Sequence, residues 1–362
     1  MNKTKSKKKI KSFGAIGKLT TFAILLLVVI LICSYFTSGG SFSYVKTVFN
    51  GNGEYNYFWN TISGDEFDYP TAITEAETIP LPFEYSERFG EVEYSQIALL
   101  VDEDGLVYLD KDADRTYFPA SLTKIMSAII VYENIPDLSV GVTLDEDIFT
   151  YCSEENAAIA GYSPGETVSA LDLLYGMLLP SGAECALGLA QYIAGSEEGF
   201  AVLMNEKAAE LGLKDTNFVT CTGLHNVKHY TTANDLMVIF KYALDIPLLR
   251  EIMSTYSYCS VDASYHTNGI WLVSSLGRTF NKANMDMGII EGGKTGYTDN
   301  ALLCLASFAY LEVNGENKLF MLITLGAGDG TATVPYHIYD ADSVFNSVKY
   351  DSETEIEIET EP

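Results

Sequence analysis

Positive charge is scarce in this sequence wherever a polyanion would need it. Its 362 residues include 22 Lys or Arg and 49 Asp or Glu, for a net charge of -27. Seven of the 22 basic residues precede residue 19, which leaves 15 against 49 acids, a balance of -34. A nucleic-acid binder needs a basic face for phosphates, so that class is set aside. No Cys-x-x-Cys pair occurs among Cys33, Cys152, Cys185, Cys221, Cys259 and Cys304. A zinc ribbon or thioredoxin-like motif is therefore not indicated. Disulfides are open to an extracellular chain, but small buried thiols are the simpler reading. There is no His-Glu-x-x-His, no internal repeat and no low-complexity block. An apolar fraction of 48% excludes wholesale disorder.

Acid is also absent before Glu54. Lys3 to Lys18 is basic and polar, and Leu19 to Phe36 is apolar and uncharged. As helix, the apolar run reaches roughly 27 Å, close to the hydrocarbon thickness of a bilayer. The flanking charge puts the N-terminus in the cytoplasm and the rest outside. The length favours an uncleaved single-pass anchor in the cell membrane. Cleavage near Ser38-Gly39-Gly40 would give a secreted protein instead. Ile32 before Cys33 does not fit a lipoprotein. Residues 37–90 read as an extracellular stalk, 91–350 as one large domain, and 351–362, with six acids and no base, as a disordered tail.

Within the domain, QIALLVD, Glu103-Asp104-Gly105 and LVYLD read as a hairpin. Helices are expected from Ala120 to about Asn134, over Ser169–Leu179, over Cys185–Ala194 and over Glu197–Leu211, the last ending at Gly212. The end of the domain turns to strands: MGIIEGG, ALLCLASFAYLEV and KLFMLITLG. Strands flanking a helical middle make an α+β pattern, not an alternating βα repeat.

Three triplets carry chemistry. Ser121 opens a helix and Lys124 lies one turn on, on the same face. A helix start favours developing negative charge, and a buried lysine can take a serine proton if desolvation depresses its pKa. Ser-x-x-Lys also occurs at Ser6–Lys9 and Ser43–Lys46, so the motif alone is weak. Lys294-Thr295-Gly296 lies in GIIEGGKTGYT, where glycines allow a substrate to approach an edge strand. Lys294 and Thr295 supply a cation and a hydroxyl for a carboxylate. The plainer reading is a glycine-rich turn. Ser181-Gly182-Ala183 begins another helix, where a serine is ordinarily an N-cap. His225 and His229 form H-x-x-x-H without the glutamate or third ligand of a metal site, so no metal and no cofactor is expected.

In this order and spacing the triplets resemble those of the penicillin-binding serine acyltransferases. FPASLTKIMSA, LLPSGAECALGLAQYIAGSEEGF, MNEKAAELGLKDTNF, TGLHNVKHYTTANDL and EGGKTGYT are similar to the low-molecular-mass D-alanyl-D-alanine carboxypeptidases, the S11 serine peptidases, over about residues 92–350. The resemblance implies a β-lactamase/transpeptidase-like fold, with a central antiparallel sheet flanked by helices. It implies Ser121 as nucleophile, Lys124 as general base and Ser181 as proton shuttle. Lys294, Thr295, Gly296 and Tyr297 would form the substrate-binding edge, with the N–H groups of Ser121 and Tyr297 as oxyanion hole. The implied partners are peptidoglycan pentapeptides ending in D-Ala-D-Ala, and β-lactams as inhibitors.

Two departures stand out. Ala183 replaces the usual Asn of the second motif, a loss commonly on the order of 1–3 kcal/mol. The only basic residues after Lys294 are Lys318 and Lys349, so no Arg follows the third motif to bind the substrate carboxylate. These motivate a weakened wall-binding protein as the alternative. A β-lactamase is less favoured, since no E-x-x-L-N segment lies between the second and third motifs.

Overall fold

The computed structural model describes residues 41–50, 54–63 and 92–359, apart from 262, 284, 286, 287, 314 and 331. The chain divides into two units, residues 1–44 with 59–71, and residues 45–58 with 72–362. The second holds every candidate site residue.

Strands β1 (Ser41–Asn50) and β2 (Glu54–Ser63) come first. The hairpin of β3 (Ile97–Asp102) and β4 (Val107–Lys111) follows. The buried Asp102 carboxylate shapes its turn, accepting the N–H groups of Asp104 at 3.0 Å and Leu106 at 2.9 Å, while Gly105 sits at φ +87°. A helical middle then runs through α1 (Thr123–Asn134), the pair β5 (Gly141–Thr143) and β6 (Thr167–Ser169) with α2 (Glu146–Glu154) between them, α3 (Ala170–Leu178), α4 (Ala183–Ala194), α5 (Glu197–Glu210), α6 (Ala233–Asp245) and α7 (Pro247–Ser254). Ser169, Ser196 and Thr232 cap α3, α5 and α6 by accepting N–H groups three residues on. The chain ends through β7 (Ser257–Ser260), β8 (Ile270–Val273), α8 (Ser275–Ala283), β9 (Ile290–Thr298), β10 (Leu302–Val313), β11 (Glu316–Ala327) and α9 (Tyr336–Glu359).

The main sheet is antiparallel, in the order β4-β3-β11-β10-β9. Phe280 of α8 and Val344 and Phe345 of α9 pack into a core with Leu100, Leu305, Phe320 and Leu322. Phe240 of α6 meets Phe308 of β10, with ring centroids 6.2 Å apart. Helices cover both sides, and this is why β3, β10 and β11 read as continuous apolar runs rather than alternating ones. The order leaves β9 at one edge, with its free side toward the helical region.

The expected helices, hairpin and strands are present, most with ends displaced by one or two residues; the strand expected over MGIIEGG runs later, over Ile290–Thr298, and the helix expected from Ala120 becomes α-helical at Thr123. Two further expectations differ. Part of the segment 37–90, expected as a stalk, is strand, and β1 pairs with β7 at Lys46–Tyr258 and Thr47–Ser257. The runs SFSYVKTVFN and EYNYFWNTIS are rich in aromatic and β-branched residues, which favour that pairing. The acidic run 351–359, expected as a disordered tail, continues α9 as helical backbone, in keeping with the helix propensity of glutamate. Among the described residues no helix is long and apolar enough to cross a membrane, and 19–36 lies outside them.

One carboxylate ties the start of the domain to its last helix. Buried Asp340 accepts the N–H groups of Glu93 at 3.0 Å, Tyr94 at 3.1 Å and Ser95 at 2.7 Å, and the Ser95 hydroxyl at 2.6 Å. Asp340→Ala strands these donors and is expected to lower the unfolding free energy by about 2–3 kcal/mol. Urea unfolding followed by circular dichroism checks it, and an unchanged midpoint would show that the anchor contributes nothing.

Candidate active site

The first motif begins with Ala120 in a left-handed conformation, φ +48°, a strained state for a residue with a Cβ. A single 3-10 turn over Ala120–Leu122 leads into α1. Ser121 is thereby left partly exposed at the turn, while Lys124, in the first turn of α1, is only 3% exposed. The Lys124 Nζ donates to Ser121 Oγ at 3.1 Å and to the Thr222 carbonyl at 2.7 Å. Burial brings the Lys124 amine down from 10.5 to about 8, against the pull of Cys221, Glu184, Cys185 and Cys152 in the other direction. An amine with a pKa lowered toward neutrality, within hydrogen-bond reach of a hydroxyl, is the arrangement a general base requires.

A second serine–lysine pair faces the first. Ser181 also has a left-handed backbone, φ +69°, just before α4. Lys294, on β9 and 1% exposed, donates to Ser181 Oγ at 2.9 Å and to the Thr295 carbonyl at 2.7 Å. Burial, then the neighbouring cations Lys124 and Arg278, push the Lys294 pKa well below its ordinary value. All three predicted motifs thus meet between the β9 edge and the helical region.

Glycine makes the meeting possible. A Cβ placed on Gly296 would lie 3.0 Å from the Ser121 nitrogen, 3.1 Å from the Ala120 Cβ and 3.2 Å from the Pro119 carbonyl oxygen. The β9 backbone at Gly296 therefore lies directly against the nucleophile turn, with Tyr297 next along the strand. The Tyr297 ring points outward and its hydroxyl donates to Asp299 at 2.9 Å, so the backbone of Tyr297, not its ring, borders the turn. The Thr295 and Ser275 hydroxyls are 2.6 Å apart.

Sequence reasoning missed Ser275 and Arg278. Both lie on α8, one helical turn apart, upstream of the third motif. Arg278 is exposed and close enough to Lys294 to depress its pKa. Both residues precede Lys294, whereas the cation expected for the carboxylate would follow it. The usable signal was a Ser-x-x-Arg spacing at a helix start.

Ala183 is 2% exposed, and its N–H donates to the Ala158 carbonyl at 2.8 Å. Glu184 does not replace the missing amide. Its side chain is buried, and Oε1 accepts the N–H groups of Ala160 at 2.6 Å and Gly161 at 3.0 Å. Burial pushes its carboxyl pKa up, and Oε2 has no hydrogen-bond partner. The five cysteines among the described residues are free thiols.

The family model for D-alanyl-D-alanine carboxypeptidases matches residues 87–327. The chain is similar to the D-alanyl-D-alanine carboxypeptidase DacF of Bacillus subtilis, with 32% identity over 218 residues, 59% of this chain and 53% of the relative. It is 31% identical to DacA of Escherichia coli over 239 residues, 63% of this chain and 55% of the relative. The chain spans about half the length of these curated relatives. A solved variant of the Streptomyces K15 DD-transpeptidase superposes with a TM-score of 0.62 at 26% identity, covering 71% of this chain and 98% of that one.

Gly296→Ala is expected to slow reaction with a β-lactam about tenfold while shifting the melting temperature by no more than about 3 °C. The added methyl meets backbone atoms of the nucleophile turn that have little freedom to move. Stopped-flow acylation beside a thermal melt checks it, and a wild-type rate would show that the contact is not tight.

Proposed function

This chain belongs to the D-alanyl-D-alanine carboxypeptidase family, and we propose that it removes the terminal D-alanine from peptidoglycan stem peptides through an acyl-enzyme on Ser121. The observation that carries this reading is the buried Lys124 amine, lowered to about 8 and 3.1 Å from Ser121 Oγ.

The steps follow from the geometry. Free-base Lys124 takes the Ser121 proton as Oγ attacks the carbonyl between two D-alanines. The oxyanion develops toward the N–H groups of Ser121 and Tyr297, which adjoin across Gly296. The C–N bond breaks as the proton taken by Lys124 passes through the Ser181 hydroxyl, which Lys294 orients, to the leaving amine, so that Lys124 is a free base again when water attacks. Water then hydrolyses the ester. Thr295 and Ser275 offer hydroxyls to the terminal carboxylate, and Arg278 adds the cation absent after the third motif. An arriving carboxylate also favours the charged form of Lys294. β-Lactams acylate the same serine and act as inhibitors.

We further propose that residues 1–18 stay in the cytoplasm, that 19–36 anchors the chain in the membrane, and that the domain works on its outer face. The name of the Streptomyces K15 relative favours a second acceptor, an amine in place of water, for the same acyl-enzyme.

Penicillin is expected to add its mass to Ser121 with a burst of one equivalent and slow turnover, and Ser121→Ala is expected to abolish the adduct. Rapid turnover would indicate a β-lactamase, and no adduct a binding protein that has lost its chemistry.

The acylation rate is expected to follow the free-base fraction of Lys124. It should rise about tenfold per pH unit below 8 and level off above, because only the deprotonated amine accepts the proton. A rate constant flat between pH 6 and 9 would remove Lys124 from the role of base.

A further inference from the structure

We propose that His229 is a positioning residue for the nucleophile, its neutral ring holding Thr123 against the strained carbonyl of Ala120. The role rests on the reading of Ser121 as nucleophile. It concerns how the turn before that serine is kept in a conformation its own sequence disfavours.

The contacts form a chain. The Ala120 carbonyl accepts the Thr123 hydroxyl at 2.7 Å and also the Thr123 backbone N–H. Thr123 Oγ1 lies 2.8 Å from His229 Nε2. On its other side, His229 Nδ1 faces the backbone N–H groups of Val219 at 3.0 Å and Thr220 at 3.3 Å. The Thr123 and His229 side chains are buried.

The proton positions follow from this pattern. Backbone N–H groups can only donate, so Nδ1 carries its lone pair. The single ring proton is then on Nε2 and is donated to Thr123 Oγ1. The Thr123 hydroxyl has one proton, which goes to Ala120, and a lone pair, which accepts from His229. Every polar atom is satisfied in one tautomer only, with the ring uncharged. Burial and the neighbouring His225 support the neutral form, holding His229 down at about 4. With both ring nitrogens in use, His229 is not free to bind a metal.

The segment that His229 anchors reaches the chemistry a second time. Gly223 packs so close to the nucleophile turn that a Cβ there would lie 1.9 Å from the Ala120 oxygen. The Thr222 carbonyl accepts from Lys124 at 2.7 Å and the Cys221 carbonyl from Ser127 at 2.7 Å. Glu197 holds the far side by accepting the Cys221 N–H at 2.9 Å. One imidazole thus spans the loop that accepts from the Lys124 amine and the turn that presents Ser121.

Two amide substitutions divide the ring into halves. In His229→Asn the Oδ1 atom takes the place of Nδ1 and keeps the acceptor for Val219 and Thr220, but nothing reaches Thr123. In His229→Gln the terminal NH2 takes the place of Nε2 and still donates to Thr123, while the acceptor for the loop is lost. The test is penicillin acylation of the full-length protein, with melting temperatures measured in parallel. Gln is expected to acylate within about threefold of wild type despite a lower melting temperature. Asn is expected to be slower by about 10–100-fold despite a higher one. Thr123→Val should be as slow as Asn, and the Thr123→Val/His229→Asn pair no slower than either, since both cut one link.

Rates that follow stability, with Gln worse than Asn, would reduce His229 to packing and overturn the proposal. So would 15N chemical shifts placing the ring proton on Nδ1, a readout that needs no variant. A wild type that penicillin leaves unlabelled at Ser121 would instead sink the nucleophile reading, and this role with it.

Discussion

The whole site depends on keeping two lysine amines out of water. Lys124 and Lys294 are both buried, and each donates to a serine hydroxyl. For Lys124, the drop from 10.5 to about 8 corresponds to about 3 kcal/mol in favour of the uncharged amine. That preference lets a residue normally cationic at neutral pH accept a proton from serine. It would vanish if the cleft wall opened, since water would restore the ordinary lysine pKa. The dry interior is therefore part of the chemistry. The net charge of -27 has little say, because most of the acids among the described residues are exposed, where water and salt screen them.

Keeping that interior dry requires close contact between strand and turn, which carries conformational strain. Ala120 and Ser181 both adopt left-handed backbones beside the two lysines. Such states typically cost on the order of 1–3 kcal/mol each and persist only where surrounding contacts over-determine them. Around Ala120 those contacts come from Thr123 and Gly223. Around Ser181 the Gly182 N–H donates to Gly176 at 2.9 Å and the Ala183 N–H to Ala158 at 2.8 Å. Buried acids stiffen the wall behind. Asp172 accepts the hydroxyls of Tyr258 and Ser260, both at 2.5 Å. Glu166 accepts the N–H groups of Tyr265 and His266 at 3.1 and 3.0 Å.

Local pattern made much of this legible before any coordinates. The Asp-Gly turn and the long apolar runs located β3, β4, β10 and β11, because their signals lie within a few residues. The three triplets could be read because a serine and a lysine at one-turn spacing must share a helix face. The elements that escaped, such as β7, β8 and α8, are short and take their conformation from neighbours distant in sequence. His229 escaped for the same reason. Its partner Thr123 is more than a hundred residues away, and the H-x-x-x-H spacing, which does not fit a metal site, carries no sign of that contact. The stalk and tail readings leaned on composition, which describes solvation better than backbone conformation.

The departures in the second and third motifs take a different meaning from the structure. Ala183 starts a helix with its side chain buried, and Glu184 beside it is turned to the loop at Ala160 and Gly161. The second motif therefore offers the cleft a single polar side chain, the Ser181 hydroxyl. What an amide would have ordered must be ordered by Lys294, which fixes Ser181 from the opposite wall. A similar displacement affects carboxylate recognition. In the proposed reading the cation missing after the third motif comes from the preceding helix, where Arg278 sits one turn beyond the Ser275 hydroxyl that meets Thr295. Placing both duties on β9 and α8 concentrates recognition at one edge strand and its supporting helix. On that reading the helical wall keeps the proposed nucleophile and its base, so the two halves of the cleft would divide holding the substrate from reacting with it.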